Sequence, residues 1–532
     1  MRWQGFFYTF IDKQGQKLLE RAVNGSEHLD TYYVYDNYGN LRFVLQPEYQ
    51  DAADVNLYAF QYRYDTLKRC TWKKLPGASG MTMEYDDADR MIFSQDGNGK
   101  WTWYEYDNLG RLTKQGENTT KAKTDSPYLQ NYYDTYSFVG STGFTDSLFT
   151  NDQTGNSYGY LTGTVQEVFG QTTRIYTAYY YDNLGQVIKE VKSNLLGGYD
   201  TTVNTYTFSG KPSTVTHTHT ATGKTTRTEV YTYTYDGKDR LTKVTHKLGT
   251  GTAEILAEYT YDALGRQATK KQGTNTSTYS YNIRNWLTGI SSGKFTQTLG
   301  YGSNYNGNIS SMNWTANGES HSYTFTYDGV NRMLNATHGT GAYTEKVTSY
   351  DKNGNIKALQ RYGNGVIDNL TYTYSGNQLT KVEDATGNAA GFNNGASAAN
   401  EYTYDNNGNL TKDSNKNIST IAYNCLNLPS KVTFSDGSTI TYSYAADGTK
   451  LRTVHTINGT TTTKDYCSNV VYENGVQKML LTEEGYVDLF ASTHRVRYRK
   501  PTITIRSVAS LLQPAMYSRT STMARSLIPR RA

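Results

Sequence analysis

One short pattern recurs along the whole chain and limits what the chain can fold into. In the plainest copy, Tyr231–Val244, tyrosines alternate with threonines up to Tyr235, and a turn follows. A period of two places the tyrosines on one face of a strand and the threonines on the other. Asp236-Gly237 supplies turn chemistry, and Arg240-Leu241 opens a second β-prone run. Each copy therefore predicts a strand, a tight turn and another strand.

Fifteen copies of this unit are present, each anchored on the last aromatic residue before its turn. The anchors are Tyr35, Tyr64, Tyr85, Tyr106, Tyr181, Tyr235, Tyr261, Tyr281, Tyr305, Tyr327, Tyr350, Tyr374, Tyr404, Tyr423 and Tyr444. Between Tyr235 and Tyr444 they lie 19 to 30 residues apart, which leaves room for two ordinary strands and two turns. In the two wider gaps we expect degenerate copies with longer loops, anchored at Tyr133, Tyr160 and Phe208.

The residues after each anchor are typical of hairpin turns. Asp or Asn can accept a hydrogen bond from the backbone two residues on, and Gly three residues after the Asp supplies a positive φ. One hairpin cannot bury a face alone, so neighbouring hairpins must stack or join edge to edge. We therefore predict an all-β fold built as an antiparallel hairpin ribbon. A propeller with two copies per blade is the competing architecture, and a β-helix fits the hairpin turns less well.

Composition and charge exclude several classes of protein. Only 36% of the residues are hydrophobic, but 50 are tyrosines, which suit half-wet sheet surfaces and argue against disorder. The formal charge is +5, yet residues 495–532 hold nine Lys or Arg and no acid. The other 494 residues carry 44 basic and 48 acidic side chains, a net charge of −4. The repeat body therefore shows no basic stripe for nucleic acid.

Cysteine spacing and hydropathy favour neither a disulfide framework nor a membrane span. Cys70, Cys425 and Cys467 lie far apart without CxxC spacing, and no apolar run is long enough to cross a bilayer. The N-terminal stretch reaches Asp12 before a long apolar core develops, so it is a poor signal peptide. Either the protein is not exported or the true start lies upstream.

Two copies come close to a known motif. Tyr104–Leu112 reads YEYDNLGRL and Tyr259–Arg266 reads YTYDALGR, and both resemble the YD repeat of the Rhs family. The resemblance covers roughly residues 30–490. Near the start, Tyr33–Arg42 and Cys70–Gly77 also resemble the N-terminal part of large bacterial Rhs-type surface proteins. The chain thus resembles a truncated bacterial Rhs repeat-associated protein.

This resemblance implies a ribbon that spirals into an open shell, a partial Rhs β-cocoon. In complete relatives such a shell encloses a C-terminal cargo polypeptide, often a toxin, and related repeats occur in teneurins and in cocoon subunits of insecticidal toxin complexes. Some members are associated with carbohydrate binding, and the family implies an extracellular or cell-surface location. Complete shells close with Asp-Pro motifs where self-cleavage frees the cargo. This sequence contains no Asp-Pro dipeptide, so no such site is carried over.

We divide the chain into four regions. Residues 1–110 form an N-terminal Rhs-type region, 111–230 hold degenerate repeats, 231–494 hold the regular array, and 495–532 are a basic, non-repeat tail that we expect to be disordered. Composition changes abruptly after His494. Our hypothesis is that the tail is a frame-shifted or recombined end and that the closing part of the shell is lost. The alternative is a selected basic tail that binds an acidic surface.

A few clusters resemble metal sites. His217 and His219 lie on one strand face, with His246 about one repeat later, and two His at i, i+2 can chelate a metal. A polar strand in a Thr-rich run is the better interpretation. Asp351–Asn355 and Asp405–Asn409 resemble the start of a calcium loop but lack Glu at the twelfth position. We interpret both as turns.

Other motif fragments are incomplete. Gly223-Lys224-Thr225 lacks the glycine spacing of a phosphate loop, and Gly300-Tyr301-Gly302 is not followed by a helix. Cys467 has only the distant His455 as a partner. Carboxylates are plentiful, but most occupy the turn slot of the repeat. We therefore assign no catalytic, cofactor-binding or metal-binding residue, and we expect no cofactor and no enzyme activity.

Three hypotheses of function follow. The first is a non-catalytic structural shell that encloses a polypeptide, and the second is a surface carbohydrate-binding or adhesion module that uses exposed tyrosines. The third, a remote one, is a hydrolase. A lumen lined by tyrosines favours the first, and glycan binding that depends on exposed aromatic residues favours the second. A cleft with two carboxylates outside the turn slots would favour the third.

Overall fold

A computed structural model describes residues 6–151, 155–396, 398–489 and 496–498. These residues form 41 antiparallel strands in one sheet, and each strand generally pairs with its neighbours in the chain. Two short helices, α1 (Tyr49–Ala52) and α2 (Val55–Tyr58), and a 3-10 turn (Ser414–Lys416) interrupt the ribbon. The predicted all-β hairpin ribbon, wound as an open shell, is confirmed.

We divide the ribbon into a first winding, β1–β23, and a second winding, β24–β41. The strands of the first winding are β1 (Phe6–Ile11), β2 (Lys17–Asn24), β3 (Glu27–Tyr35), β4 (Leu41–Leu45), β5 (Ala59–Tyr64), β6 (Cys70–Lys74), β7 (Gly80–Tyr85), β8 (Met91–Gln95), β9 (Trp101–Tyr106), β10 (Leu112–Asn118), β11 (Leu129–Tyr133), β12 (Leu161–Phe169), β13 (Arg174–Tyr181), β14 (Val187–Ser193), β15 (Tyr199–Tyr206), β16 (Pro212–His219), β17 (Arg227–Tyr235), β18 (Leu241–Leu248), β19 (Glu254–Tyr261), β20 (Gln267–Gln272), β21 (Asn275–Tyr281), β22 (Leu287–Ser291) and β23 (Phe295–Gly300). The strands of the second winding are β24 (Ser311–Ala316), β25 (Glu319–Tyr327), β26 (Met333–His338), β27 (Glu345–Tyr350), β28 (Ile356–Gly363), β29 (Gly365–Ser375), β30 (Gln378–Asp384), β31 (Tyr402–Tyr404), β32 (Leu410–Asp413), β33 (Ile418–Tyr423), β34 (Pro429–Phe434), β35 (Thr439–Ala445), β36 (Lys450–Ile457), β37 (Thr460–Cys467), β38 (Val470–Glu473), β39 (Val476–Thr482), β40 (Gly485–Asp488) and β41 (Val496–Tyr498).

The turn after Tyr261 shows how each unit closes. Oδ1 of Asp262 accepts hydrogen bonds from the backbone N–H groups of Leu264 and Arg266, both at 2.9 Å. The Arg266 guanidinium returns to Oδ2 at 2.7 Å. Gly265 adopts a φ of 82°, a conformation in which a Cβ atom is strained. The predicted roles of the Asp and Gly residues therefore follow from backbone geometry.

In most repeats the anchor tyrosine joins its hairpin to the one before it. The hydroxyl of Tyr261 donates to the carbonyl of Leu241 at 2.7 Å, and that of Tyr281 donates to Gln267 at 3.0 Å. Between these anchors, the Arg266 guanidinium lies 4.9 Å from the centroid of the Tyr281 ring, within range of a cation–π contact. One Tyr-Asp-Arg set thus closes its own turn and also fixes the next repeat.

Because strand direction alternates, successive turns fall on opposite edges of the ribbon. We call the edge with the turns after the anchors the YD rim, and the edge with the turns between repeats the loop rim. Side chains connect neighbouring turns along the YD rim: Arg69 reaches the carbonyl of Asp86 at 2.8 Å, and Arg90 reaches that of Asp107 at 3.1 Å. The loop rim includes the turn at Asn24-Gly25 and the helical segment 46–58.

The second winding stacks its YD rim on the loop rim of the first. Asn24 Oδ1 accepts from the backbone of Gly329 at 2.9 Å, and Asn353 Oδ1 accepts from the backbone of Glu48 at 2.9 Å. Each of these pairs is separated by 305 residues. Further along, β12 pairs directly with β35. One full turn of the ribbon therefore brings it back onto itself.

The last strands leave this edge-to-edge arrangement and lie on the tyrosine face of the first winding. Cys467, Val470, Tyr472, Leu480 and Val487 pack in one buried cluster with Ala221, Tyr231, Val244 and Leu256. The face of β17 that carries Tyr231 is thus covered, whereas the threonine face stays exposed. The tyrosine face is therefore the inner face of the shell.

Two predicted anchors are displaced, and a third is not an anchor. Tyr206 and Tyr301, not Phe208 and Tyr305, donate their hydroxyls to the preceding hairpin, at 2.6 and 2.7 Å. Tyr160 is not an anchor, because it lies after a turn, immediately before β12. The insertion between β11 and β12 instead packs its own aromatic side chains on the sheet. In the sequence, an aromatic residue at an exposed turn therefore looks the same as an anchor.

Of the basic tail, the structure describes only β41, which pairs with β40. The rest of residues 495–532 lies outside the described residues. Within the described part of the chain, neither helix has the length and apolar character needed to cross a membrane.

Candidate functional site

A buried polar network joins the two windings where the last strands lie on β15–β18. His219 is fully buried, and its two ring nitrogens lie 2.7 Å from Asp200 Oδ1 and 2.7 Å from the Tyr472 hydroxyl. Asp200 comes from β15 and His219 from β16, where the two residues are paired. Tyr472 comes from β38, 253 residues later in the chain. This row of three side chains is therefore a direct polar link between the windings.

Glu229 on β17 forms the second half of the network. Its carboxylate lies 3.1 Å from Nδ1 of His217 and 2.8 Å from Nε2 of His246. It also accepts hydrogen bonds from the Tyr231 hydroxyl at 3.0 Å and from the Asn469 amide. Glu229 is 1% exposed, and a buried carboxylate is tolerated only when it is paired and hydrogen-bonded.

The network is held in a charged state. Burial disfavours the Asp200 carboxylate, but the contacts with His217 and His219 outweigh burial and lower the pKa of Asp200 to about 2. Burial is likewise outweighed at Glu229, where His217, His246 and Asn469 lower the pKa to about 2. The His217 imidazolium loses hydration on burial, yet the two flanking carboxylates raise its pKa to about 9. At neutral pH a cationic His217 therefore lies between two anions.

A cavity of about 150 Å³ borders the network, between β13–β15 and β36–β37. Glu190 and Asp200 both line it, and neither occupies a turn slot. Oδ1 of Asp200 already accepts from His219, and Oδ2 accepts from Asn194 at 3.2 Å. Burial raises the pKa of Glu190. Because Asp200 is already occupied by these two contacts, we assign no hydrolytic role to the pair.

A second, open depression of about 570 Å³ crosses β23–β26 on the tyrosine face. Trp314, His321 and Gln297 line it on this face, whereas Asn313 and Thr298, which alternate with them along the strands, lie on the opposite face. The rings of Trp314 and His321 are stacked, with centroids 5.1 Å apart. An aromatic surface beside hydroxyl and amide groups is the chemistry that binds sugars.

Solved structures share this architecture. The chain superposes on the Photorhabdus luminescens Tc holotoxin pore with a TM-score of 0.69 and 16% identity, covering 91% of this chain and 24% of that one. It superposes on the TcdB2-TccC3 crystal structure with a TM-score of 0.69 and 17% identity, covering 91% of this chain and 26% of that one. The matched parts of these proteins are Rhs-repeat shells. The fold is that of an Rhs-type YD-repeat shell.

The chain spans about a quarter of the length of these solved chains. No known family profile matches its sequence, and no curated protein does. The resemblance to Rhs YD repeats is therefore confirmed through the fold, which persists at 16–17% identity. At that level of identity the comparison establishes the shell architecture alone.

The shell brings the three predicted histidines together, but with carboxylates as partners. His217, His219 and His246 each contact Asp200 or Glu229. Within the described residues, no group of three or more His, Cys, Asp or Glu side chains is arranged to hold a metal ion. Sequence reasoning identified the histidines and missed both acids. The available signal was that Asp200 and Glu229 lie inside strands and not in turn slots.

The calcium-loop-like segments and the Cys467–His455 pair lie away from this site. Oδ1 of Asp351 accepts from the backbone of Asn355 at 2.7 Å, and Oδ1 of Asp405 accepts from that of Asn409 at 2.8 Å. Both acids therefore close turns of the shell. His455 pairs with Thr462 on β37, whereas Cys467 lies at the far end of that strand. Burial, the largest effect, raises the pKa of the Cys467 thiol, which favours the unreactive form.

Three further fragments occupy ordinary positions in the ribbon. Gly223-Lys224-Thr225 lies in the loop between β16 and β17, and Gly300 ends β23. Cys70 and Cys425 are free thiols, as is Cys467.

Proposed function

We propose that this chain is a structural wall that encloses a polypeptide against its tyrosine face. The observation that supports the proposal is the packing of β36–β40 on the inner face of β13–β19. That face already holds a polypeptide by apolar contacts and by the buried network. Complete shells of this fold would hold a toxin or other cargo in the same way, and catalysis is not part of the role.

The physical basis is exclusion. Within the described residues nearly every strand inside the ribbon is paired with its neighbours, the exception being β30 with β31, so an enclosed chain meets mostly side chains and few free backbone edges. The anchor hydroxyls are already satisfied by carbonyl groups of the preceding repeat. An enclosed polypeptide would therefore meet aromatic rings and few unsatisfied polar groups. We also propose an extracellular or cell-surface location, where such a wall would shield its cargo from proteases.

Protease protection tests the enclosure. An unstructured peptide with one protease site is fused after Ala532, and the same peptide is fused before Met1 as the control. We expect the C-terminal fusion to be cleaved more slowly than the N-terminal one in the intact protein, and equally fast after denaturation. Equal cleavage of the two fusions in the native protein would contradict enclosure.

A second candidate function rests on the depression at β23–β26. His321 and Gln297 offer an aromatic ring and an amide on the tyrosine face, beside the buried Trp314, so the depression is suited to a glycan. Glycan-array binding that is lost in His321→Ala and Gln297→Ala, and kept in Thr232→Ala on the opposite face, would establish this function. An array on which the wild-type chain binds nothing would remove it.

A further inference from the structure

The YD rim of the first winding carries an exposed row of large apolar side chains. Central turn positions on this edge hold Tyr38, Leu67, Leu109, Leu184, Phe208 and Leu264, and each of them is at least 66% exposed. None of these six side chains lies in a hydrophobic core cluster of the described residues. Ala88 and Lys238 occupy the same position in two intervening turns, so the apolar residues recur along the edge with interruptions, and their recurrence indicates a contact surface. We call this set the apolar row.

The second winding shows what normally covers this position. Val330, Asn353 and Asn407 occupy the equivalent turn position, and all three are half-buried. Loops of the first winding cover them: Asn353 Oδ1 accepts from the backbone of Glu48 at 2.9 Å, and Asn407 donates to Asp96 at 2.7 Å. In this molecule the cover of a YD rim is therefore the loop rim of another winding.

The spacing of the two rims also matches. Each hairpin contributes one turn to each rim, so turns recur about every 10 Å along both edges, twice the spacing of paired strands. A ribbon of this kind can therefore present loops in register with the apolar row over many repeats. A lipid surface would require no such periodicity, which favours a ribbon as the occupant.

The loop rim of the second winding also carries exposed apolar side chains, which could contact the apolar row. Tyr343 and Val366 lie at turns on that edge and are 64% and 41% exposed. This edge and the apolar row lie on opposite ends of the spiral. A second copy stacked on the first would therefore bring these two edges together.

We propose that the apolar row binds the loop rim of a second copy of this chain, so that copies stack head to tail and continue the spiral. The contact is heterologous, because each copy uses a different edge, and such contacts form open stacks. The inference rests on the two rims and is independent of cargo enclosure.

Sedimentation of two variants tests the stack. The row variant combines Leu109→Ser, Leu184→Ser and Leu264→Ser, and the matched control removes three apolar side chains that lie on strands, by Leu18→Ser, Val34→Ser and Val203→Ser. We expect the wild type and the control to exceed the monomer mass of 59.8 kDa as concentration rises. Loss of three buried leucines should weaken association by at least about a hundredfold, so the row variant should stay monomeric.

A mixing experiment decides the direction of the contact. A loop-rim variant with Tyr343→Ser and Val366→Ser should also be monomeric, yet a mixture of the two variants should form a dimer through the one remaining pair of intact edges. A wild type that stays monomeric at every concentration, or a mixture that stays monomeric, would overturn the proposal. Flotation of the monomeric wild type with lipid vesicles, lost in the row variant, would assign the row to membranes and likewise overturn it.

Discussion

At the scale of single residues, each repeat depends on a few backbone constraints. Asp accepts two N–H groups of its own turn, and the residue three positions later takes a left-handed conformation. This position need not be glycine: Lys68, Asp89 and Asp239 have φ values of 63°, 60° and 58° there. Gly237, which the sequence pattern assigns to the turn together with Asp236, does not have a positive φ.

A pair of glycine substitutions separates these two positions. Gly265→Ala should lower the free energy of unfolding by about 1 kcal/mol, because alanine resists a positive φ. Gly237→Ala, with no neighbouring atom within 4 Å of the added Cβ, should be neutral or slightly stabilising. Urea denaturation of both variants measures the difference. Equal effects would show that the turn relaxes around an added methyl group.

At the scale of elements, hydroxyl-to-carbonyl bonds couple each hairpin to the preceding one. A hairpin alone is marginally stable, so the ribbon depends on these links and on the strand ladders. The bond from Tyr261 to Leu241 connects β19 to β18, and that from Tyr281 to Gln267 connects β21 to β20. Each repeat therefore adds one hairpin to the ribbon in the same orientation as the one before it.

Removing one hydroxyl measures this coupling. Tyr261→Phe should lower the free energy of unfolding by about 1 kcal/mol, since it leaves the Leu241 carbonyl without its partner. Tyr38→Phe is the control, because the Tyr38 ring is 78% exposed and should have no measurable effect. Amide hydrogen exchange in β18 and β19 should rise in the first variant only. Unchanged exchange in β18 would mean that the strand ladder alone carries the coupling.

At the scale of the whole molecule, the buried network latches the last strands onto the first winding. Charged His217 lies between Asp200 and Glu229, and Asn469 and Tyr472 reach the same groups from the second winding. His219, His246, Tyr231 and Asn194 also face these carboxylates. Charge on these groups therefore affects how firmly the spiral closes on itself.

The attachment of the last strands to the first winding by this network should weaken at alkaline pH. The pKa of His217 is raised to about 9, so its stabilising effect is complete below its unfolded pKa of about 6.5 and is lost as pH rises through 9. The pKa values of Asp200 and Glu229 are lowered to about 2, so their contribution is lost only as pH falls toward 2. Amide exchange in β38–β40 should therefore be slowest at mildly acidic pH and rise between pH 6.5 and 9, after correction for the intrinsic exchange rate.

Two variants provide the controls for this pH dependence. His217→Gln should abolish the rise between pH 6.5 and 9. Leu480→Ala removes a fully buried side chain and should cost about 2–5 kcal/mol. That loss should loosen the same strands at every pH while keeping the pH dependence. A His217→Gln variant with the wild-type pH profile would show that another group controls the latch.

The hairpin unit could be predicted from sequence because its determinants lie close together in the chain. Tyrosine alternation, the Asp turn and the spacing of anchors act over some 20–30 residues, and local backbone preference decides them. The misplaced anchors at Phe208 and Tyr305 have the same origin, since the pattern cannot distinguish a paired ring from one exposed at a turn. The three histidines could be listed but not interpreted, because their partners carried no motif.

What the amino-acid sequence determined by itself is the unit and its repetition: strand, turn, strand, with tyrosines on one face. Only the tertiary structure decided the path of the ribbon, the contact of Asn24 with Gly329 305 residues later, and the burial of Asp200 and Glu229 under the last strands. The reason is physical. The return of the ribbon onto itself depends on small twists summed over many hairpins, and no single repeat encodes that sum.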